Sequence, residues 1–180
     1  MFATQKQIEK IQNYDARHKK EGGWTMTEMI VTLLLVLIAM AGIGMIAKSA
    51  LTNMKIGDTE TEIATLRMQI KQLYKSSADY TGLDNTIAEK AGVIPDSMLK
   101  SNGIRNSWNG NVTLVPGSDP NTFLITLESI PQTACVKLAT YQSGSWKKVS
   151  VNGSSLDQDS IVSEAAGKCA DTNTLAFISD

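Results

Sequence analysis

The 180-residue chain carries 17 Lys and Arg against 18 Asp and Glu, so its formal net charge is -1. After residue 23 the balance is 12 Lys and Arg against 15 Asp and Glu, and no basic cluster occurs there, which argues against a nucleic-acid-binding surface. The length suffices for one membrane-anchored helix and a single small domain of about a hundred residues.

The first 23 residues form a charged leader. Its basic residues crowd the end of the leader and outnumber its acidic residues, which gives a net charge of +2. The basic residues are Lys6, Lys10, Arg17, Lys19 and Lys20, and the acidic ones are Glu9, Asp15 and Glu21. The positive-inside rule therefore predicts that this end stays in the cytoplasm.

An apolar segment follows the leader. Residues 29–47 are nineteen consecutive residues without a charge, which is about the length that a helix needs to cross a bilayer. An ordinary secretory signal has a shorter apolar core followed by a small-x-small cleavage site, and no such site follows Lys48. An uncleaved signal anchor is the alternative.

The junction between leader and apolar segment has a distinctive order, in which Gly22 and Gly23 precede Trp24 and Glu28 lies four residues beyond it. This order resembles the class III signal peptide of type IV prepilins, which a dedicated prepilin peptidase cuts after a Gly on the cytoplasmic side. The resemblance implies removal of residues 1–23 and makes Glu28 the fifth mature residue. The leader length and a first residue other than Phe are more similar to the type IVb subclass.

Glu28 lies at the edge of the apolar segment. A carboxylate inside a membrane span costs roughly 2.5–3.5 kcal/mol at mid-helix and less near the end, so a function is the first hypothesis. The resemblance implies that Glu28 pairs with the new amine of Trp24 on a neighbouring subunit and sets its register. The alternatives are that Glu28 reaches the lipid headgroups, or that an anion is favoured by the helix dipole.

The same helix is predicted to continue beyond the membrane. Residues 24–53 form the hydrophobic half, for membrane and filament core, and residues 54–77 form an amphipathic half. The apolar stripe comprises Ile56, Ile63, Leu66, Ile70, Leu73 and Tyr74. We expect it to pack on a sheet, with a coiled-coil dimer as the alternative. Gly42 and Gly44 are weak points, either for local unwinding on assembly or for close helix packing.

Residues 78–180 are predicted to form an α+β head with an antiparallel sheet. Short helical pieces are expected at 85–91 and 96–100, strands at 111–115, 123–127, 146–151 and 175–178, and helices at 131–141 and 157–166. The expected fold is thus a long N-terminal helix packed on the sheet of the head, which is the type IV pilin fold. The runs that begin at Ile104 and Ile130 also resemble type IVb heads, including conjugative thin-pilus pilins.

Cys135 and Cys169 are the two cysteines, and both lie in the head. The topology places the head in an oxidising periplasm or outside the cell, where a disulfide between them is the natural inference. Two unrelated thiols are the alternative. In position, the pair resembles the disulfide-bonded C-terminal region of type IV pilins.

Residues suited to catalysis, to a cofactor or to a metal site are scarce. The single His, His18, lies in the leader, and no phosphate-binding glycine loop or Cys-x-x-Cys pair occurs. Asp157 and Asp159 are close in sequence, but a solvated helix start explains them. We therefore expect no catalytic residue, no cofactor and no metal ligand.

The leading hypothesis is a structural one. It is a type IVb major pilin that polymerises with other copies of itself, with prepilin peptidase and inner-membrane assembly machinery as further partners. The chain would start in the inner membrane and end in an extracellular filament for adhesion, aggregation or conjugative mating. The alternatives are a minor pilin, a type II secretion pseudopilin, and a membrane-anchored periplasmic binding module or enzyme.

Overall fold

The computed structural model describes residues 25–180, without the side chains of residues 40–48. The chain divides between residues 47 and 48 into two compact units. The α-helices of the described residues are α1 (Met26–Leu73), α2 (Asn85–Lys90), α3 (Gln132–Thr140) and α4 (Ile161–Lys168). The strands are β1 (Leu99–Lys100), β2 (Gly103–Ile104), β3 (Val112–Pro116), β4 (Phe123–Pro131), β5 (Lys148–Val151), β6 (Ser154–Ser155) and β7 (Thr172–Ser179).

The first unit is described only by the beginning of α1, where Met26, Thr27 and Glu28 precede a run made up mainly of Leu, Ile, Val and Met. The predicted membrane span, residues 29–47, includes residues 40–47, whose side chains are not described, and the predictions for Gly42 and Gly44 fall in that stretch. Among the residues that are described, no helix is both long enough and apolar enough to cross a membrane.

Within the second unit, the remainder of α1 buries the predicted stripe. Ile56, Ile63, Leu66 and Ile70 are all buried in one core cluster that also contains the inward side chains of the sheet. Packing against the sheet therefore explains the stripe, as expected. The helix ends at Leu73, earlier than the predicted residue 77, and Leu73 is 40% exposed, whereas Tyr74 of the predicted stripe is partly buried and packs against the core.

The sheet has the order β3-β4-β7-β5-β6 and all of its pairings are antiparallel. Its two longest strands alternate buried and more exposed residues, as a strand with one face on a core must. The largest inward side chains include Phe123 and Ile125 of β4 and Phe177 of β7. A bulge between Leu127 and Ile130 interrupts the pairing of β4 with β7.

Most predicted elements of the head are confirmed, and β4 and β7 extend further than expected. The predicted helix at 96–100 is wrong. Pro95 opens a turn in which Met98 N–H donates to Pro95 O at 2.9 Å, and the chain then pairs as β1 with β2. Gly103 has φ of 105°, a conformation that glycine adopts without strain, so the hairpin can form there.

Candidate functional site

Glu28 and Thr25 form a reciprocal pair at the start of α1. The backbone N–H of Thr25 donates to Glu28 Oε2 at 3.0 Å, and the backbone N–H of Glu28 donates to Thr25 Oγ1 at 3.4 Å. The Thr25 hydroxyl also donates to Glu28 Oε2 at 3.1 Å. This is a capping box, which binds backbone N–H groups that the first turn of a helix leaves without partners. This box was not predicted, although the pattern Thr-x-x-Glu is the sequence signal that could have indicated it.

Large apolar side chains are exposed on every side of α1 beyond this cap. The exposed fraction ranges from 47% at Val36 to 85% at Met26. The exposed residues are Met26, Met29, Ile30, Val31, Leu33, Leu34, Leu35, Val36, Leu37 and Ile38. A soluble monomer rarely exposes a continuous apolar surface of this kind, so the segment is suited to burial against lipid or other protein.

The second unit carries a disulfide between Cys135 on α3 and Cys169 just after α4. The two Cα atoms are 6.0 Å apart and both cysteines are buried. The bridge joins residues separated by 34 positions in sequence, and it fastens the two helices that lie beside each other. The predicted pairing is therefore confirmed, and the alternative of two unrelated thiols is wrong.

Asn173 fixes the chain where β7 begins, four residues after the bridge. Its side chain is buried and donates to Ile130 O at 3.1 Å and to Ala170 O at 2.7 Å. Its Oδ1 accepts from Ala170 N–H at 2.7 Å and from Asn152 Nδ2 at 2.9 Å. The two contacts with Ala170 join the end of the disulfide-bonded segment to β7, and the other two join β7 to β4 and to the turn after β5. The sequence pattern did not indicate them.

Residues 53–180 match the family described as PilS N terminal. The chain belongs to this family. No curated protein sequence matches the chain.

Two of the solved structures that resemble this PilS-family chain are type IV pilins. The type IV b pilin from Salmonella typhi has a TM-score of 0.54 and 26% sequence identity, and the match covers 67% of this chain and 97% of that one. TcpA, a type IV pilin from Vibrio cholerae El Tor biotype, has a TM-score of 0.52 and 14% identity, covering 71% and 99% of the two chains. The PilS-family chain therefore has the type IV pilin fold of the IVb subclass, and it belongs to a structural rather than an enzymatic class.

The predicted site residues of this pilin fall into two groups. Cys135 and Cys169 are brought together as expected. Glu28 is described, but Gly23 and Trp24 lie outside the described residues, so the cleavage site and the pairing of Glu28 with a Trp24 amine stay predictions. Across the part of the chain that the structure describes, no three His, Cys, Asp or Glu side chains converge as a metal site requires.

Proposed function

We propose that this chain is the structural subunit of a type IVb pilus and polymerises through its N-terminal helix into a surface filament. Family membership and the type IV pilin fold support this function. In this proposal the chain is a major pilin, similar to those of conjugative thin pili, and its principal partner is another copy of itself.

The observation that carries the proposal is the apolar start of α1. Side chains such as Leu33, with 65% of its surface exposed, and Ile38, with 68%, contact too little of their own chain to be buried by it. Burying such side chains contributes about 1.5–3 kcal/mol each. Helices of neighbouring copies in a filament supply this burial, and the inner membrane supplies it before assembly.

Processing precedes assembly in the proposed sequence of events. Prepilin peptidase removes residues 1–23 between Gly23 and Trp24, and the new amine of Trp24 then pairs with Glu28 of a neighbouring copy. The inner-membrane machinery extracts the processed subunit into the filament. The disulfide supports a head on the far side of that membrane, because such bridges persist in oxidising compartments.

Electron microscopy of cells with and without the gene tests the proposal directly. We expect surface filaments that disappear with the chain, and sheared filaments in which it is the main component with Trp24 as its first residue. A mature protein that begins at Met1 would contradict the processing step. Low abundance in sheared filaments would instead favour a minor pilin or a secretion pseudopilin.

The use of the filament is tested separately. If the filament serves conjugation, loss of the chain should lower the frequency of plasmid transfer between cells in liquid mating. If it serves colonisation or aggregation, transfer should be unchanged and cell-to-cell or surface attachment should fall.

A further inference from the structure

A polar cleft of about 720 Å³ lies beside α1 in the second unit, where the helix faces residues 95–109. Two carboxylates from α1, Asp58 and Glu62, line the cleft together with the ammonium-bearing side chains of Lys55 and Lys100. Asp58 and Glu62 are four residues apart, which places them on one side of the helix, one turn from each other. The lining of the cleft therefore combines two adjacent carboxylates with two ammonium groups.

Glu62 differs from the other charged residues of the cleft because it is only 8% exposed. Its Oε1 accepts a hydrogen bond from Ser97 Oγ at 2.5 Å. Its Oε2 is buried and has no hydrogen-bond partner among the described residues. An unpaired buried carboxylate oxygen is unfavourable, because the lost hydration of the oxygen is not replaced.

The positively charged side chains that line the cleft do not replace the lost hydration of Glu62 Oε2. Burial raises the pKa of Glu62, while the Ser97 hydrogen bond lowers it, nearby Asp58 raises it and Lys100 lowers it. Lys55 and Lys100 both line the cleft. However, the ion pairs found among the described residues are Lys147 with Asp119 and Lys168 with Glu164. Among the described residues, Asp58 and Glu62 therefore form no ion pair with these lysines, although Lys100 is near enough to act on the charge of Glu62.

We propose that the cleft is a binding site for an alkylammonium or guanidinium group, with Glu62 and Asp58 as its two anionic partners. An ammonium group has three N–H donors and no acceptor, which suits two carboxylates side by side. The terminal torsion of a Glu side chain is broad, so a small rotation turns the unpaired oxygen of Glu62 towards the cleft. The group belongs either to a Lys or Arg side chain of a second copy of this chain or to a free amine.

An organic cation fits the cleft better than a metal ion or an anion. A metal ion such as Ca²⁺ takes six to eight oxygen ligands, whereas the described residues hold no cluster of three acidic, Cys or His side chains. An anion would lie against the carboxylates of Asp58 and Glu62. Lys55 and Lys100 are exposed and repel a cation only through solvent, whereas the buried atom without a partner is a carboxylate oxygen of Glu62, which requires a hydrogen-bond donor.

The first test is an NMR titration of the full chain in detergent micelles with n-butylammonium chloride. We expect the side-chain carboxyl ¹³C resonances of Glu62 and Asp58 to shift saturably, and sodium chloride at equal ionic strength to leave them in place. Glu62→Gln should remove the saturable shift at Asp58. The matched variant Glu89→Gln, at an exposed carboxylate on α2, should retain it.

The same titration overturns the proposal if no saturable shift occurs, if sodium chloride reproduces it, or if Glu62→Gln retains it. Should Glu62→Gln fail to fold, Asp58→Asn at an exposed position provides the second variant, and it should weaken binding of butylammonium. This test uses the unassembled chain, so its outcome does not depend on whether the chain forms filaments.

Zero-length carbodiimide cross-linking of assembled copies distinguishes the two sources of the cation, and this second test rests on the proposed filament. A cross-link from Glu62 or Asp58 to a lysine of another copy assigns the cation to a second subunit. A butylammonium response without such a cross-link assigns it to a free amine. A cross-link within one chain from Glu62 to Lys100, together with no butylammonium response, contradicts the proposal.

Discussion

Thr25 and Glu28 bind each other reciprocally at the start of α1, through bonds of 3.0 and 3.4 Å between side chain and backbone N–H. The carboxylate that the proposed docking step requires is therefore already engaged by its own helix. A capping residue contributes about 0.5–2 kcal/mol to the stability of a helix. Pairing with the amine of a neighbouring Trp24 must replace or share these bonds. Glu28 therefore has a local role in the helix cap and a proposed intermolecular role in assembly, and variants must distinguish the two.

Glu28→Ala should abolish filaments while leaving cleavage and membrane insertion unchanged, because the substitution removes the anion that pairs with the Trp24 amine and leaves the Gly23 junction intact. Immunoblots of membrane fractions measure processing, and electron microscopy of the same cells measures filaments. Normal piliation of this variant would contradict the intermolecular role of Glu28.

Glu28→Gln provides the sharper control for the same prediction. Its amide oxygen can still accept from the Thr25 N–H, so the cap is largely retained while the charge is lost. We expect Gln to fail in assembly as Ala does. Filaments restored by Gln would show that the cap, rather than the charge, is what assembly requires, and the exposed Glu89→Ala variant should assemble normally.

Replacing Gly23 with Leu should block processing, because a bulky side chain would then precede the bond that prepilin peptidase is expected to cut. Unprocessed chain, heavier by the 23-residue leader, should accumulate in the inner membrane and filaments should be absent. N-terminal sequencing of the retained product checks this, and a product that still begins at Trp24 would place the determinant of cleavage elsewhere.

The disulfide predicts a large and redox-dependent contribution to stability. The bridge closes a segment between residues 34 positions apart, for which the chain-entropy model gives about 3–4 kcal/mol. The double variant Cys135→Ala, Cys169→Ala should lower the free energy of urea unfolding by about that amount. Reductant should destabilise the wild-type chain but not the double variant. A difference of less than about 1 kcal/mol between the unfolding free energies of the two chains would refute this estimate.

Asn173→Ala should destabilise the second unit by roughly 2–3 kcal/mol, because several buried polar groups lose their partners at once. The backbone oxygens of Ile130 and Ala170 and the N–H of Ala170 are left unpaired by the truncation. Urea unfolding measures the effect. Asn102→Ala, at an exposed Asn, is the matched control and should change stability by no more than about 0.5 kcal/mol.

The α+β fold and the core of the sheet were predictable because each depends on a periodic pattern. The strands β4 and β7 alternate buried and more exposed residues over most of their length, and the stripe at Ile56, Ile63, Leu66 and Ile70 follows the helical period. The predictions of secondary structure fail where the sequence pattern is short. At residues 96–100 a Pro followed by Asp reads as a helix start, whereas the hairpin with Gly103–Ile104 depends on a partner strand that local propensity does not reveal.

The candidate sites also differ in whether the sequence alone can indicate them. The capping box at Thr25 and Glu28 was not predicted, although it is local in sequence and its Thr-x-x-Glu motif could have indicated it. Glu62, in contrast, lies in a run with Asp58 and Glu60 that reads as a solvated helix face. Its burial depends on the packing of residues 95–109 against α1, and only the folded structure shows this.

The final prediction concerns pH, because burial raises the pKa of Glu62 above the ordinary value of 4.5, helped by Asp58 and opposed by Ser97 and Lys100. An acid whose folded pKa is raised binds more protons when folded, so stability falls as pH rises from 4.5 through the folded pKa. Urea midpoints of the full chain should show this fall, and Glu62→Gln should make it smaller, leaving the part due to Glu60, whose pKa burial also raises and Lys137 lowers. Because a bound cation stabilises the ionised carboxylate, saturating n-butylammonium should reduce the fall in wild type alone. An identical pH dependence for wild type and Glu62→Gln would mean that Glu62 is solvated and that no uncompensated charge lies in the cleft.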